Sequence, residues 1–336
     1  MTTLAIIGSG IAGRSLLYNL TTENLSFDNI ILFESDDFAL PCALHSTAIV
    51  APRGVSRGHS DLGDLIMDGY EAFAMHVKEA APAGVSEIRQ YTGELTKLSQ
   101  FKLRYPEGHM TSSLNGIGLK EEIYFAQEDA FMIDPAAYLE WLLNQSEKKL
   151  TMVRVKEFVT EVIPEERVKI ATQGGRSFEA DHVVFATGAS SRFWKNLFPE
   201  SKLSTSVPSQ GAYLEFKDVN WGMDSFSITL DGYNLIYRKD SLTLLIGSTT
   251  HDHQHVMAPV GELKSIYLFM QQKLKLDLPG FDMGKVLVGQ REKAQKRMPY
   301  VLTSGNIFFI GGLYKNGFTL SLKMTRNLAR QLPQSS

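Results

Sequence analysis

The chain has 336 residues, 43% of them hydrophobic and 21% charged, with a formal net charge of −3. That composition supplies a packed core for one large or two medium domains. It lacks both the polar bias of a disordered chain and the basic excess that nucleic acid or an anionic membrane surface favours. Cys42 is the single cysteine, so no internal disulfide forms. No apolar run approaches the roughly 20 residues of a membrane span. No charged-then-apolar leader precedes the first apolar run, so a cytoplasmic protein is expected.

Leu4 to Ile7 reads as a strand, and Gly8-Ser9-Gly10-Ile11-Ala12-Gly13 follows at once. Arg14 to Leu20 reads as a helix, and Ile30 to Phe33 as a second strand ending in Glu34-Ser35. Gly8 permits the tight turn, Gly10 lets backbone approach a pyrophosphate, and Gly13 lets the helix pack close to the strand. The helix N-terminus offers free N–H groups to phosphate, and Glu34 can accept from ribose hydroxyls. This context makes a dinucleotide site, without deciding between FAD and NAD.

Further along, a helix is expected over Gly63 to Glu79, with Leu65, Ile66, Tyr70, Phe73 and Val77 on one side. A short strand is expected over Glu94 to Leu98. Asp134-Pro135 reads as a helix start, with Asp134 as N-cap. Strands follow at Met152 to Val155, Val159 to Ile163, Arg167 to Ala171 and Asp181 to Ala186. An antiparallel group follows at Ala212 to Phe216, Phe226 to Leu230, Asn234 to Arg238 and Ser241 to Ile246. Gly261 to Leu274 reads as a helix, Ile307 to Ile310 as a strand, and Thr319 to Leu332 as the last helix. The expected fold is α/β (α+β). A Rossmann-like, discontinuous cofactor domain takes residues 1–80, 134–200 and 286–336. A sheet-based substrate domain takes 81–133 and 201–285.

Two more glycine turns fit a nucleotide site. Ala186-Thr187-Gly188 ends an apolar strand, and Gly311-Gly312-Leu313-Tyr314-Lys315-Asn316-Gly317 joins a strand to a helix N-terminus. With these, His45-Ser46-Thr47-Ala48-Ile49-Val50-Ala51-Pro52, Ile246-Gly247-Ser248-Thr249, Gly289-Gln290-Arg291 and Met298-Pro299-Tyr300, the chain resembles a family nearly end to end. The family is that of the FAD-dependent amine and amino-acid oxidoreductases, typified by D-amino-acid oxidase, glycine oxidase and sarcosine oxidase. It also resembles the FAD-dependent half of the bifunctional enzyme that makes methylaminomethyl-thiouridine in tRNA.

The resemblance implies FAD as cofactor and a small amine or amino acid as substrate. Hydride would leave the carbon beside the amine for flavin N5, giving an imine that hydrolyses. No catalytic triad is expected. Gly8, Ser9, Gly10, Ile11, Ala12 and Gly13 would hold the pyrophosphate, and Glu34 with Ser35 the adenosine. His45, Ser46, Thr47 and Ala48 would pass the pyrophosphate and ribityl chain. Val159 would pair with adenine, and Ala186, Thr187 and Gly188 would end beside the nucleotide. Gly312, Leu313, Lys315, Asn316, Gly317 and Phe318 would line the pyrimidine side of the flavin. Arg291 would grip a substrate carboxylate through its planar fork. Tyr237 or Tyr233, which share a strand with Arg238, would cap the pocket. Lys315 would balance the charge of the reduced flavin.

The stretch Glu292 to Arg297 departs from the family pattern. His45 stands where some relatives attach flavin covalently, but a polar loop residue near FAD is the preferred reading. His251, His253 and His255 alternate, with only Asp252 as a nearby acid, so no metal site is expected. Cys42 reads as a small buried residue. A modified tRNA base is the second reading of the substrate, and Lys285 to Arg297 offers it a local basic patch. A non-catalytic flavin protein is the third.

Overall fold

The computed structural model describes residues 1–35, 42–55, 57–199, 201–252 and 259–333. Its first strand, Thr3–Ile7, is buried at every position. Leu4 and Ile6 share a core with Leu16, Leu17 and Leu20 of the helix Ile11–Thr22. Ala5 and Ile7 face a second core with Phe185 and Phe309. A strand apolar on both sides is what a parallel sheet covered on both faces demands. Thr3–Ile7 lies inside a six-stranded sheet, in the order Tyr300–Ser304, Ile307–Gly311, His182–Phe185, Thr3–Ile7, Asn29–Phe33, Met152–Val155. Every neighbour pair is parallel except the Tyr300–Ser304 hairpin strand. The helix Gly317–Ala329 packs beside Ile11–Thr22, where Asn19 Nδ2 donates to Leu322 O and to Thr325 Oγ1, each at 2.8 Å. A small antiparallel sheet, Val159–Ile163, Val168–Thr172 and Ser177–Ala180, covers one side.

A second sheet of eleven strands is mostly antiparallel; Phe226–Leu230 runs parallel to Val85–Glu94. One face packs on the helix Val260–Lys273, where Leu235, Tyr237, Leu214 and Ile228 meet Leu263, Ile266 and Met270. The other face carries Ile88, Tyr213, Ile236 and Leu245, then the polar residues Gln90, Thr92, Thr229 and Asn234. The strand Lys285–Lys293 pairs along its length with Val207–Phe216 and so belongs to this sheet. Divided by sheets, the chain would change hands after Lys293 rather than at 286.

Asp134 caps the helix Pro135–Glu147 as its position suggests, accepting from Ala136 N at 3.0 Å and Ala137 N at 3.2 Å. The strand expected over Glu94 to Leu98 is not formed. Val85–Glu94 stops there, and Glu94 Oε1 accepts from Thr96 N at 3.2 Å and Lys97 N at 3.0 Å. A side chain that takes two backbone N–H groups withdraws them from a ladder and closes a turn. The helix Leu98–Arg104 follows. Among the described residues, no helix is long and apolar enough to cross a membrane.

Candidate active site

A cavity of about 550 Å³ is lined by residues from both large sheets. At one end stands the first glycine turn. Gly8 has φ +114°, and a Cβ there would overlap the Ala186 carbonyl. A Cβ at Gly13 would overlap the Gly8 carbonyl, so helix and turn touch only because that atom is missing. At Gly10 a Cβ would meet nothing, and the backbone faces open cavity.

The helix Ile11–Thr22 has no side-chain cap and no acid in its first turn, and the same is true of Gly317–Ala329. Elsewhere Ser60 and Asp134 cap the helices Asp61–Ala80 and Pro135–Glu147. Both of these uncapped starts border the cavity; Leu98–Arg104 and Val260–Lys273 also lack a side-chain cap, but their first residues do not line it. The N–H groups of the two bordering starts are left for an anionic or electron-rich ligand. Arg14 folds back on the turn, donating from Nε to Ser9 O at 3.0 Å and to Ser9 Oγ at 3.1 Å. Glu34 also lines the cavity. Its Oε1 accepts from Arg154 Nε at 3.1 Å and Nη2 at 2.9 Å, which fixes the carboxylate at the cavity wall. These features fit the dinucleotide half of FAD.

Past the middle of the cavity, Gly311-Gly312 passes over Glu292. This carboxylate is 5% exposed and accepts from Gly312 N at 3.0 Å, from Ser191 Oγ at 3.3 Å and from the Tyr300 hydroxyl. A Cβ at Gly311 would stand 2.6 Å from Glu292 Oε2, so the glycine is required by its neighbour. Burial raises the Glu292 pKa, while the bonds from Tyr300, Gly312, Ser206 and Ser191 pull it down. Glu292 ties the last glycine loop to the turn after Thr187. It occupies the stretch where the sequence leaves the family pattern, and its role there was not legible from the chain.

Arg291, one residue earlier, lines the cavity too. Its guanidinium lies in a slot over Gly211, where any Cβ would collide with Nη2. Among the described residues, Arg291 Nη1 is buried without a hydrogen-bond partner. The guanidinium carbon is 5.8 Å from the centre of the Tyr314 ring, and Lys315 Nζ is 5.7 Å from the same ring. Lys315 is exposed overall and donates to Thr250 Oγ1 at 3.0 Å. Partial burial of its ammonium, then the charges of Arg291, Arg53 and Arg297, push its pKa down to about 8; Asp252 opposes this. Burial pushes the Cys42 thiol up, and the Arg291 charge beside it works the other way. The floor is polar: Thr229 Oγ1 accepts from Gln90 Nε2 at 3.4 Å and donates to Asn234 Oδ1 at 2.8 Å.

Most of the expected residues share this cavity. Gly8, Ser9, Gly10, Ile11, Ala12, Glu34, Ser35, His45, Ser46, Thr47, Ala48, Val159, Ala186, Thr187, Gly188, Gly312, Leu313, Lys315, Gly317, Phe318 and Arg291 all line it. His45 Nδ1 donates to Val288 O at 2.7 Å. Three residues are placed otherwise. Gly13 sits behind the turn as a packing residue, and Asn316 is buried off the cavity wall. Tyr237 corrects the pocket-cap expectation. It is wholly buried on the other face of its sheet, with its ring 5.0 Å from that of Trp221. Tyr233 shares that face, its ring 5.7 Å from that of Phe269. Strand alternation instead turns Asn234 to the cavity and Arg238 to the same side, where Arg238 Nη2 donates to Ile133 O at 2.8 Å. His251 Nε2 bonds Glu262 Oε2 at 2.6 Å, and His253 and His255 lie outside the described residues. Arg53, Gln90, Asn234, Gly211 and Glu292 were missed. Each comes from a strand or turn with no motif of its own.

A Rossmann-like sheet with three glycine turns, facing an antiparallel sheet across one cavity, defines a flavin-dependent oxidoreductase. The chain belongs to the DAO family of FAD-dependent oxidoreductases, whose model matches residues 3–331. No curated protein sequence matches it. Among solved structures it is similar to glycine oxidase from Geobacillus kaustophilus, at 15% identity and TM-score 0.75, covering 100% of this chain and 96% of that one. It is similar to iminodiacetate oxidase from Chelativorans sp. BNC1, at 15% identity and TM-score 0.76, covering 99% and 96%. It is also similar to FAD-bound L-alpha-glycerophosphate oxidase from Mycoplasma pneumoniae, at 14% identity and TM-score 0.79, covering 100% and 97%.

Proposed function

We propose that this protein oxidises the C–N bond of a small amino acid or secondary amine, with hydride passing to FAD and an imine released to hydrolyse. The observation that carries this reading is Arg291. Its buried, unpartnered Nη1 shares the cavity with the uncapped helix starts and glycine turns of the cofactor end. A buried donor without a partner is costly, and a carboxylate satisfies a guanidinium bidentately.

When bound, FAD supplies the hydride acceptor. The protein's own part is placement. Arg291, kept in its slot by the absent side chain of Gly211, holds the carboxylate and so fixes the carbon next to it. Gln90, Thr229 and Asn234 offer polar partners to the amine end. Tyr213 and Tyr314 close the walls against water. Lys315 keeps a positive charge near the last glycine loop below about pH 8.

The test is an anaerobic titration of the purified holoenzyme with amino acids and N-methyl amines, followed in the visible. Bleaching of the flavin band near about 450 nm by a carboxylated amine is expected. Bleaching by a phosphorylated alcohol and by no amine would replace the reading. A flavin that none of these reduces would move the assignment to a macromolecular substrate or a non-catalytic role.

A further inference from the structure

Arg291 is not the only cation in the substrate half of the cavity. Arg53 and Lys315 line it too, and among the described residues none of the three has a carboxylate within ion-pair distance. The other cavity-lining acids are engaged elsewhere: Glu34 with Arg154, Glu157 with Arg176, and Glu292 with the glycine loop. Asp252 pairs with Lys293.

Arg53 is placed there by construction. It has φ +58° and is followed by Gly54 at φ +62°, a double left-handed turn that costs a non-glycine residue energy. Gly54 N donates to Glu128 Oε1 at 2.7 Å, and a Cβ on Gly54 would strike the Tyr105 ring. The turn therefore has one shape, and it sends the Arg53 side chain into the cavity. Among the described residues the guanidinium makes one hydrogen bond, Nη2 to Ile49 O at 3.3 Å. Burial lowers its pKa, Tyr105 and Glu128 favour its charge, and Arg291 opposes it. The same burial raises the pKa of Glu128, whose carboxylate is taken up by Gly54 N and by the Tyr105 hydroxyl at 3.4 Å.

We infer that Arg53 is a specificity residue for a second carboxylate, so that the substrate is a small amine carrying two acidic groups, one held by Arg291 and one by Arg53 with Lys315 nearby. Mutually repelling cations in a partly desolvated cavity are stabilised by an anion that spans them, and a monocarboxylate leaves one unmatched. The inference rests on the carboxylate role proposed for Arg291. It adds the number of acidic groups, and that can be measured without turnover.

The experiment measures binding of non-oxidisable acids to the holoenzyme through their perturbation of the flavin spectrum. Propionate and butyrate are the single-carboxylate probes; malonate, succinate and glutarate are the paired ones. One of the paired acids should bind about ten- to a hundred-fold tighter than its single-carboxylate partner, the worth of one added charge-assisted contact. R53L should close that gap and R53K should reopen part of it, at unchanged flavin content. Equal binding of single and paired acids, or a gap that survives in R53L, would overturn the inference. So would an R53L effect confined to the flavin spectrum or potential, since Arg53 would then serve the cofactor. Paired acids that bind as expected while no amine reduces the flavin would support the inference and sink the C–N reading instead.

Discussion

The two ends of the cavity are made of different material. The nucleotide end is built from backbone: glycines that let main chain approach, helix starts without caps, and one acid at a strand end. The substrate end is built from side chains that converge from distant parts of the chain: Arg53 from a turn, Gln90 and Asn234 from two strands, Arg291 from a third. Backbone recognition forces particular residue types at fixed spacing, so it leaves a motif. Side-chain convergence depends on which strand lies beside which and on their register, so it leaves none.

The sharpest way to break this comparison is at Gly13. Leucine there would place a side chain where the Gly8 carbonyl now lies, so the G13L protein should retain essentially no FAD. The flavin-to-protein absorbance ratio after gel filtration checks it, and a normal ratio would mean the turn is not rigid. Next comes Arg291. R291A should raise KM for a carboxylated amine by about a hundred-fold or more, because a charged contact in a partly buried site is lost. G211A should do much of the same damage through an added methyl that evicts Nη2, although it removes no functional group. If G211A kept a normal KM, the slot would be loose.

A smaller effect is expected from pH. Lys315 is charged below about pH 8 and neutral above it. Anion binding should therefore weaken by a few-fold as pH rises through about 8, and K315M should flatten the profile. A profile unchanged in K315M would take Lys315 away from the ligand. The smallest effect belongs to Tyr237. Its hydroxyl has one long contact, accepting from Trp221 N at 3.5 Å. Y237F should cost at most about 1 kcal/mol of stability and leave KM alone. A large KM change would return it to the pocket.

How far the sequence could be read follows the same division. The first strand, the glycine turn and the helix behind it were legible because their residue order follows directly from their physics. The last glycine loop was legible as a strand-to-helix junction. Arg291 was legible only through resemblance; nothing in Gly289-Gln290-Arg291 says that Gly211 lies opposite. Tyr237 was misplaced because a period of two names two faces without saying which is which. The Glu94 to Leu98 stretch was misread because a carboxylate that closes a turn looks, in one dimension, like a polar position on an alternating strand.

Arg291 and Glu292 are neighbours on one strand, and neighbours on a strand point opposite ways. One is proposed to hold the substrate's acid; the other holds Gly312 and the loop after Thr187. A single peptide unit thus joins the residue proposed to hold the acid to the residue that holds the glycine loop. Linkage makes any coupling across it symmetrical: the factor by which a bound acid tightens the cofactor is the factor by which the cofactor tightens the acid. Whatever coupling exists between cofactor retention and acid binding then has one size, whichever end of the strand it is read from.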